Sequence, residues 1–316
     1  MIRTIPNLKE ELAEQIASQR ARGPFFLEVD GCSIPLEFHA SVGSKTLIVY
    51  FHGSVNRETR KIPVFSSALP DLWMAHQLCV SDPSILAKAG FSLSWYAGHA
   101  EFVSQNILRE LFANIIEVLK VDRVIFFGAS GGGFAALFYS FYFKDSVSVV
   151  TMPQTDMFRY NPVHLKSYIS SCWPDLKDMK FLSDFVCTDV CKLYSRPTSN
   201  TVVYLQSAGD HYHLKNHMIP FLAAISKNKQ SRIVVDCGFW GKLGHSGSVP
   251  SDAYLPWLKA VVAAGSTEPD DLLMARHALV TSTEARPVKS KATATEILYP
   301  AYLRMADLLR DLQLKS

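Results

Sequence analysis

The sequence predicts an α/β protein built on a mainly parallel sheet, and three observations lead there. Strand-length apolar runs alternate with stretches of helical periodicity from residue 45 to about 264, and parallel strands need crossovers of the kind such helices supply. The run KTLIVYFHG at 45–53 is continuously apolar, as a strand buried on both faces is. FFLEVD at 25–30 and SIPLEFHA at 33–40 flank Gly31 and Cys32 as a hairpin would, which gives the sheet an antiparallel start.

Each further element follows from its own pattern. Residues 8–20 read as a short helix, and FSLSWYAG at 91–98 as a strand. In EFVSQNILRELFANIIEVLKV, Ile107, Leu108, Leu111, Phe112, Ile115, Val118 and Leu119 recur at helical spacing, so this segment is an amphipathic helix covering the sheet. RVIFFGAS at 123–130 is a strand and 131–143 a helix. SVSVVTMP at 146–153, NTVVYLQSAGD at 200–210 and SRIVVDCGF at 231–239 are strands, with helices near 213–227 and 251–264.

Two segments break this rhythm. Residues 157–198 hold Pro162, Trp173, Pro174 and Pro197 and are too long for a simple crossover. They read as a helical insertion, a lid over the C-terminal edge of the sheet. After Gly265, STEPDD starts a helix, ARPVKSKATATE is a polar linker, and ILYPAYLRMADLLRDLQL is an amphipathic helix carrying Leu308, Leu309, Leu312 and Leu314. The expected organisation is a main domain at 1–265 and a helical extension at 266–316, whose last helix docks on a protein partner, on a second copy or on the main domain.

Composition excludes several function classes. The net charge is +3, and the 32 lysines and arginines are scattered without a block of five, so nucleic acid is not the expected partner. Arg57, Arg60 and Lys61 form one local basic cluster. No apolar run reaches 18 residues, so no membrane span is expected. The N-terminal MIRTIPNLKEELAEQIASQR lacks the apolar core of a signal peptide, which gives a cytoplasmic expectation. Six cysteines without a CxxC pair suit reduced thiols rather than disulfides or a metal site, and no metal is expected.

The chemistry centres on Gly128-Ala129-Ser130-Gly131-Gly132, which fits G-x-S-x-G. A buried strand leads in and a helix leads out, so Ser130 sits on a tight strand-to-helix turn, where small neighbours let backbones approach closely. The helix N-terminus offers N–H groups to a developing oxyanion. A purely structural glycine turn or a phosphate loop is the competing reading, but no GK[ST] follows and no GxGxxG occurs here. A serine nucleophile needs a base, and His245 in GKLGHSGS lies past the last strand, in a glycine-rich loop. His211, His213 and His217 in DHYHLKNH fit better as a solvated helix start. The orienting acid is expected after a strand between serine and histidine. Asp210 fits, and it also suits a helix N-cap, while Asp156 in MPQTD is the alternative acid. The Gly131 N–H and one from Gly53, Ser54 or Val55, after the strand ending at His52, are the expected oxyanion donors. His52 and Arg57 beside that loop are weak candidates for substrate contact.

With these residues in place, the chain resembles the α/β-hydrolase superfamily over about residues 25–264. The elbow at 128–132, His52-Gly53, Asp210 and His245 carry the resemblance in chain order. It implies an eight-stranded, mostly parallel sheet and serine-based acyl transfer. GASGGGFAALFYS, MPQTD and FHGS are also similar to those members of the fold that acetylate sugars in bacterial surface-glycan pathways, such as capsule O-acetyltransferases and the acetyltransferase component of accessory Sec systems. The early strand lacks an HGGG run, which departs from simple lipases.

The functional expectation is therefore a serine esterase or O-acetyltransferase acting on a small ester or a glycan through an acyl-serine. It needs no resident cofactor, and acetyl-CoA is a candidate donor. An inactive hydrolase-like subunit of a glycan-synthesis or secretion assembly is the alternative, and a serine peptidase the third reading. Water as acceptor makes an esterase and a sugar hydroxyl makes a transferase; the triad alone does not distinguish them. Phe158, Tyr160, Tyr168 and Trp173 in the insertion read either as its core or as a platform for a sugar ring.

Overall fold

A computed structural model describes residues 8–10, 13–14, 24–228, 232–240, 243–244 and 249–284. His245 and the helix expected near 297–314 lie outside the described residues, as does the docking role assigned to that helix.

Eight strands form one sheet: β1 (Phe25–Val29), β2 (Cys32–His39), β3 (Thr46–Phe51), β4 (His76–Val80), β5 (Arg123–Ala129), β6 (Val147–Thr151), β7 (Thr201–Ser207) and β8 (Arg232–Gly238). Their spatial order is β1-β2-β4-β3-β5-β6-β7-β8. The pairs β1–β2 and β2–β4 are antiparallel and every later pair is parallel. Among the described residues the α-helices of five or more residues are α1 (Pro83–Ala87), α2 (Ser104–Leu119), α3 (Gly131–Phe141), α4 (Pro162–Cys172), α5 (Val190–Tyr194), α6 (Ile219–Ile225), α7 (Ser251–Ala263) and α8 (Pro269–Glu284), with short turns of helix between them.

Side chains alternate across the central strands, so successive residues feed two cores. Leu47, Val49 and Phe51 of β3 join Phe126, Tyr204 and the face of α2 and α3. Ile48 and Tyr50 join Ile125, Val149 and Val203 under Trp257 and Val261 of α7. All six β3 residues are buried, as the unbroken apolar run requires.

The strand expected at 91–98 is not formed. Trp95 and Tyr96 have φ of +53° and +55°, which ends any extended run. Buried Asp82 holds them there: its carboxylate accepts from Ser94 Oγ at 2.6 Å, Tyr96 N at 2.8 Å and Ser84 N at 3.0 Å. The strand beside β3 is instead HQLCV at 76–80, whose polar start hides it in the sequence. Gln77 is buried because Tyr50 Oη and Leu69 N both donate to its Oε1 at 2.8 Å. His76 is buried because its Nδ1 accepts from Ser41 N at 3.1 Å.

The connection from β3 runs outward to β4, and the next strand, β5, lies on the other side of β3. Strand order therefore reverses between β3 and β5, and a crevice opens beyond their carboxyl ends at such a switch point. The loop after β3 and the turn after β5 meet there. Residues 157–198 form the expected helical pieces: α4, α5 and two 3-10 turns at Met157–Arg159 and Met179–Asp184. No helix among the described residues is long and apolar enough to cross a membrane.

Candidate active site

Ser130 stands between β5 and α3 with φ +54° and ψ −118°, a conformation a non-glycine residue adopts only under constraint. The constraint is visible around it. Ser130 N donates to Thr151 O at 3.1 Å, while Ser130 O accepts from Gln154 N at 3.0 Å and Phe134 N at 3.2 Å. The glycines permit this turn. A Cβ on Gly128 would lie 2.2 Å from Gly132 O, and one on Gly132 would lie 2.5 Å from Phe51 O. Ser130 itself is only partly buried.

The β3 loop reaches the same point. A Cβ on Gly53 would come within 3.8 Å of Ser130 Cβ. Val55 N already donates to Ser92 O at 2.8 Å, which narrows the loop's candidate oxyanion donors to Gly53 and Ser54. Gly131 opens α3, at the end of the helix where N–H groups face outward. A cleft of about 320 Å³ runs along this side, lined by Gly53, Ser54, Arg60 and Tyr254.

His52 and Arg57 serve the scaffold in this structure. Asp82 N donates to His52 Nε2 at 3.1 Å, so the ring proton is on Nδ1, which faces Gly53 O at 2.7 Å. Burial holds the His52 imidazole below its ordinary range. The Arg57 guanidinium donates to the carbonyls of Phe91 and Ile85, each at 2.6 Å, and Lys88 at 2.7 Å. Those bonds turn it away from a substrate role and toward fixing the 85–91 loop.

Asp210 follows β7 and is fully buried. It caps the turn that begins at His211: Oδ1 accepts from His213 N at 3.1 Å, and Oδ2 lies 2.9 Å from His213 Nδ1. A π-helical turn, Leu214–Met218, continues the segment and carries His217, whose Nδ1 accepts from Thr155 N at 3.2 Å. These two histidines, read as a solvated helix start, are in fact buried. Beside Asp210, Gly209 O accepts from Gly244 N at 2.9 Å, which ties the loop that continues into residue 245 to the end of β7. A second cleft, about 370 Å³, is lined here by Tyr160, Asp210, Tyr212, His213 and Gly244. Asp156, the alternative acid, caps a 3-10 turn through Phe158 N at 2.8 Å and pairs with Arg159 at 3.3 Å. Burial pushes its carboxyl upward, opposed by that backbone hydrogen bond.

The structure adds Gln154, which no catalytic pattern in the sequence singles out. Its Nε2 donates to Ser130 Oγ at 2.9 Å, and Trp95 Nε1 donates to its Oε1. The one sequence signal was its place in MPQTD, a polar residue directly after a buried strand. Among the described residues, no group of three or more His, Cys, Asp or Glu is placed to hold a metal ion.

The chain matches no model of a known protein family, and no curated protein matches its sequence. Solved structures do match. The capsule O-acetyltransferase of Neisseria meningitidis serogroup A aligns at 15% identity over 79% of this chain and 98% of that one, with a TM-score of 0.53. The fold is that of the α/β-hydrolases. A mutant of the same enzyme in complex with CoA aligns at 14% identity over 79% of this chain and 99% of that one, with a TM-score of 0.54. A puromycin-hydrolyzing peptidase of Mycobacterium tuberculosis aligns at 14% identity over 79% of this chain but 40% of that one, with a TM-score of 0.52. This chain thus spans nearly the whole acetyltransferase and less than half of the peptidase.

Proposed function

We propose that this protein transfers an acyl group, acetyl in the first instance, through a covalent acyl-serine at Ser130 to a carbohydrate hydroxyl. The observation that carries the reading is the positive-φ serine on a glycine-enforced turn at the strand-order reversal. Such a turn presents the hydroxyl to a crevice beside unpaired helix N-terminal donors.

In the proposed sequence of steps, Ser130 Oγ attacks the donor carbonyl and its proton passes to His245. Asp210 orients His245, and the Gly209–Gly244 hydrogen bond supports that pairing by joining the two loops next to both residues. The N–H groups of Gly131 and of Gly53 or Ser54 receive the oxyanion. The donor's leaving group departs with the proton from His245. His245 then takes the proton of the acceptor hydroxyl as that oxygen attacks the acyl-serine, and the ester product leaves.

A transferase needs room for donor and acceptor. One cleft beside the loop after β3 and one beside Asp210 fit that need. The near-full overlap with an acetyltransferase, set against partial overlap with a peptidase, favours an acetyl group and a hydroxyl acceptor over a peptide. The test is turnover of p-nitrophenyl acetate and acetyl-CoA, with and without a panel of saccharides. Ser130→Ala and His245→Ala should each lose on the order of 10³-fold or more, and a saccharide should speed donor consumption. Full turnover by Ser130→Ala overturns the reading. Cleavage of aminoacyl amides with no response to any saccharide would move it to the peptidases.

A further inference from the structure

The Gln154 side chain is fully buried and lies between an indole and the serine hydroxyl. An indole N–H can only donate, so the group facing Trp95 Nε1 must be the amide oxygen. The amide nitrogen is then forced toward Ser130 Oγ, where the N···O distance is 2.9 Å. A nitrogen there donates, so Ser130 Oγ accepts, and the serine's own proton is left to point elsewhere.

The surroundings allow this amide little movement. Gln154 N is bound to Ser130 O at 3.0 Å, and its neighbour Thr155 is bound to His217 through both N and Oγ1. Trp95 is equally fixed. It is buried against Tyr168, with ring centroids 5.7 Å apart, and sits on the left-handed turn that Asp82 holds from both sides. Two successive non-glycine residues at positive φ are a strained arrangement. The fold keeps that conformation, and its local result is an indole N–H aimed at Gln154.

We propose that Gln154 is a catalytic residue that sets the rotamer and proton direction of the Ser130 hydroxyl, and that Trp95 is its positioning residue. This rests on Ser130 being the nucleophile. During acylation the bond from Oγ to the acyl carbon forms, the hydroxyl proton passes to the base, and the bond from the acyl carbon to the leaving group breaks with its electron pair. Gln154 keeps both amide hydrogens throughout. Its contribution is that one Oγ lone pair is already occupied, so the hydroxyl rotamer is restricted and its proton kept off that side before the donor arrives.

The experiment measures the labelling rate of the full chain by a fluorophosphonate, which reports the nucleophile without an acceptor. Wild type should label and Ser130→Ala should not. Gln154→Ala and Trp95→Phe should slow labelling, about tenfold for the first, with thermal midpoints near wild type for Trp95→Phe, which keeps an aromatic ring in the wall. Gln154→Glu is isosteric and donates only while protonated. Its rate relative to wild type should therefore fall as pH rises through the carboxyl range while its thermal midpoint relative to wild type, read at each pH, does not fall in parallel, whereas a purely structural role would move both together. Wild-type rates in both Gln154→Ala and Trp95→Phe, or a pH-independent ratio for Gln154→Glu, overturn the proposal while leaving Ser130 in place. Absent labelling of wild type, or labelling of Ser130→Ala, overturns the nucleophile itself and the proposal with it.

Discussion

Gly244 N donates to Gly209 O at 2.9 Å, joining the residue before Asp210 to the residue before position 245. Asp210 also meets His213, with Oδ2 to Nδ1 at 2.9 Å, so two histidines compete for the role of base. His213 is 1% exposed and bound to the cap. His245→Ala should abolish acyl transfer with little change in thermal midpoint, and His213→Ala should lower the midpoint more than the rate. The reverse pattern would make His213 the base.

Asp210→Asn separates capping from catalysis. Asparagine caps a helix about as well as aspartate, but it gives up the buried carboxylate contact to His213, so stability should fall by about 1–3 kcal/mol. An amide cannot stabilise an imidazolium, and the turnover number should fall by about 10⁴-fold. Urea denaturation and steady-state kinetics on one preparation check both.

The elbow glycines are required by space. A Cβ on Gly132 would lie 2.5 Å from Phe51 O and 2.7 Å from His52 O, both backbone atoms that cannot swing aside. Gly132→Ala should destabilise the protein by about 3 kcal/mol, read as a lowered urea midpoint.

Arg57 binds three carbonyls, Ile85 of α1 and Lys88 and Phe91 of the segment after it, a fork that lysine cannot reproduce. Arg57→Lys should lower stability by about 1–2 kcal/mol and leave KM for the acyl donor unchanged. A raised KM at unchanged stability would restore a substrate role.

Two buried histidines make stability pH-dependent. His52 Nε2 and His76 Nδ1 each accept a backbone N–H, and burial holds both imidazoles below their ordinary range. The unfolded chain binds these protons more readily, so this contribution is intact above about pH 6.5 and is lost as pH falls through the lower folded values. Asp82, raised by burial, acts in the opposite sense beside His52. His76 is therefore the cleaner probe. The thermal midpoint should fall between about pH 7.5 and 5.5, and His76→Asn, which keeps an acceptor near Nδ1, should flatten the slope.

The parallel core was legible because β3, β6 and β7 are buried on both faces, and these strands and β5 read as strand-length, largely apolar runs. The elbow was legible because close backbone approach leaves only glycine at positions 128 and 132. Strand β4 was not, since His76 and Gln77 enter it through hydrogen bonds that only the folded loop supplies. The 91–98 segment misled because Phe91, Leu93 and Trp95 alternate as a strand does, while the segment is turned by a left-handed pair pinned by Asp82, twelve residues before its partner Ser94. Gln154 shows the same limit, because its meaning depends on an indole 59 positions earlier in the chain.

Intact-protein mass after brief exposure to acetyl-CoA or p-nitrophenyl acetate, followed by peptide mapping, tests the central claim most directly. With Ser130 as the nucleophile, the wild type should carry one added acetyl group on Ser130, discharged by the acceptor and absent from Ser130→Ala. An acetyl group mapped to another residue, or turnover undiminished in Ser130→Ala, would contradict it.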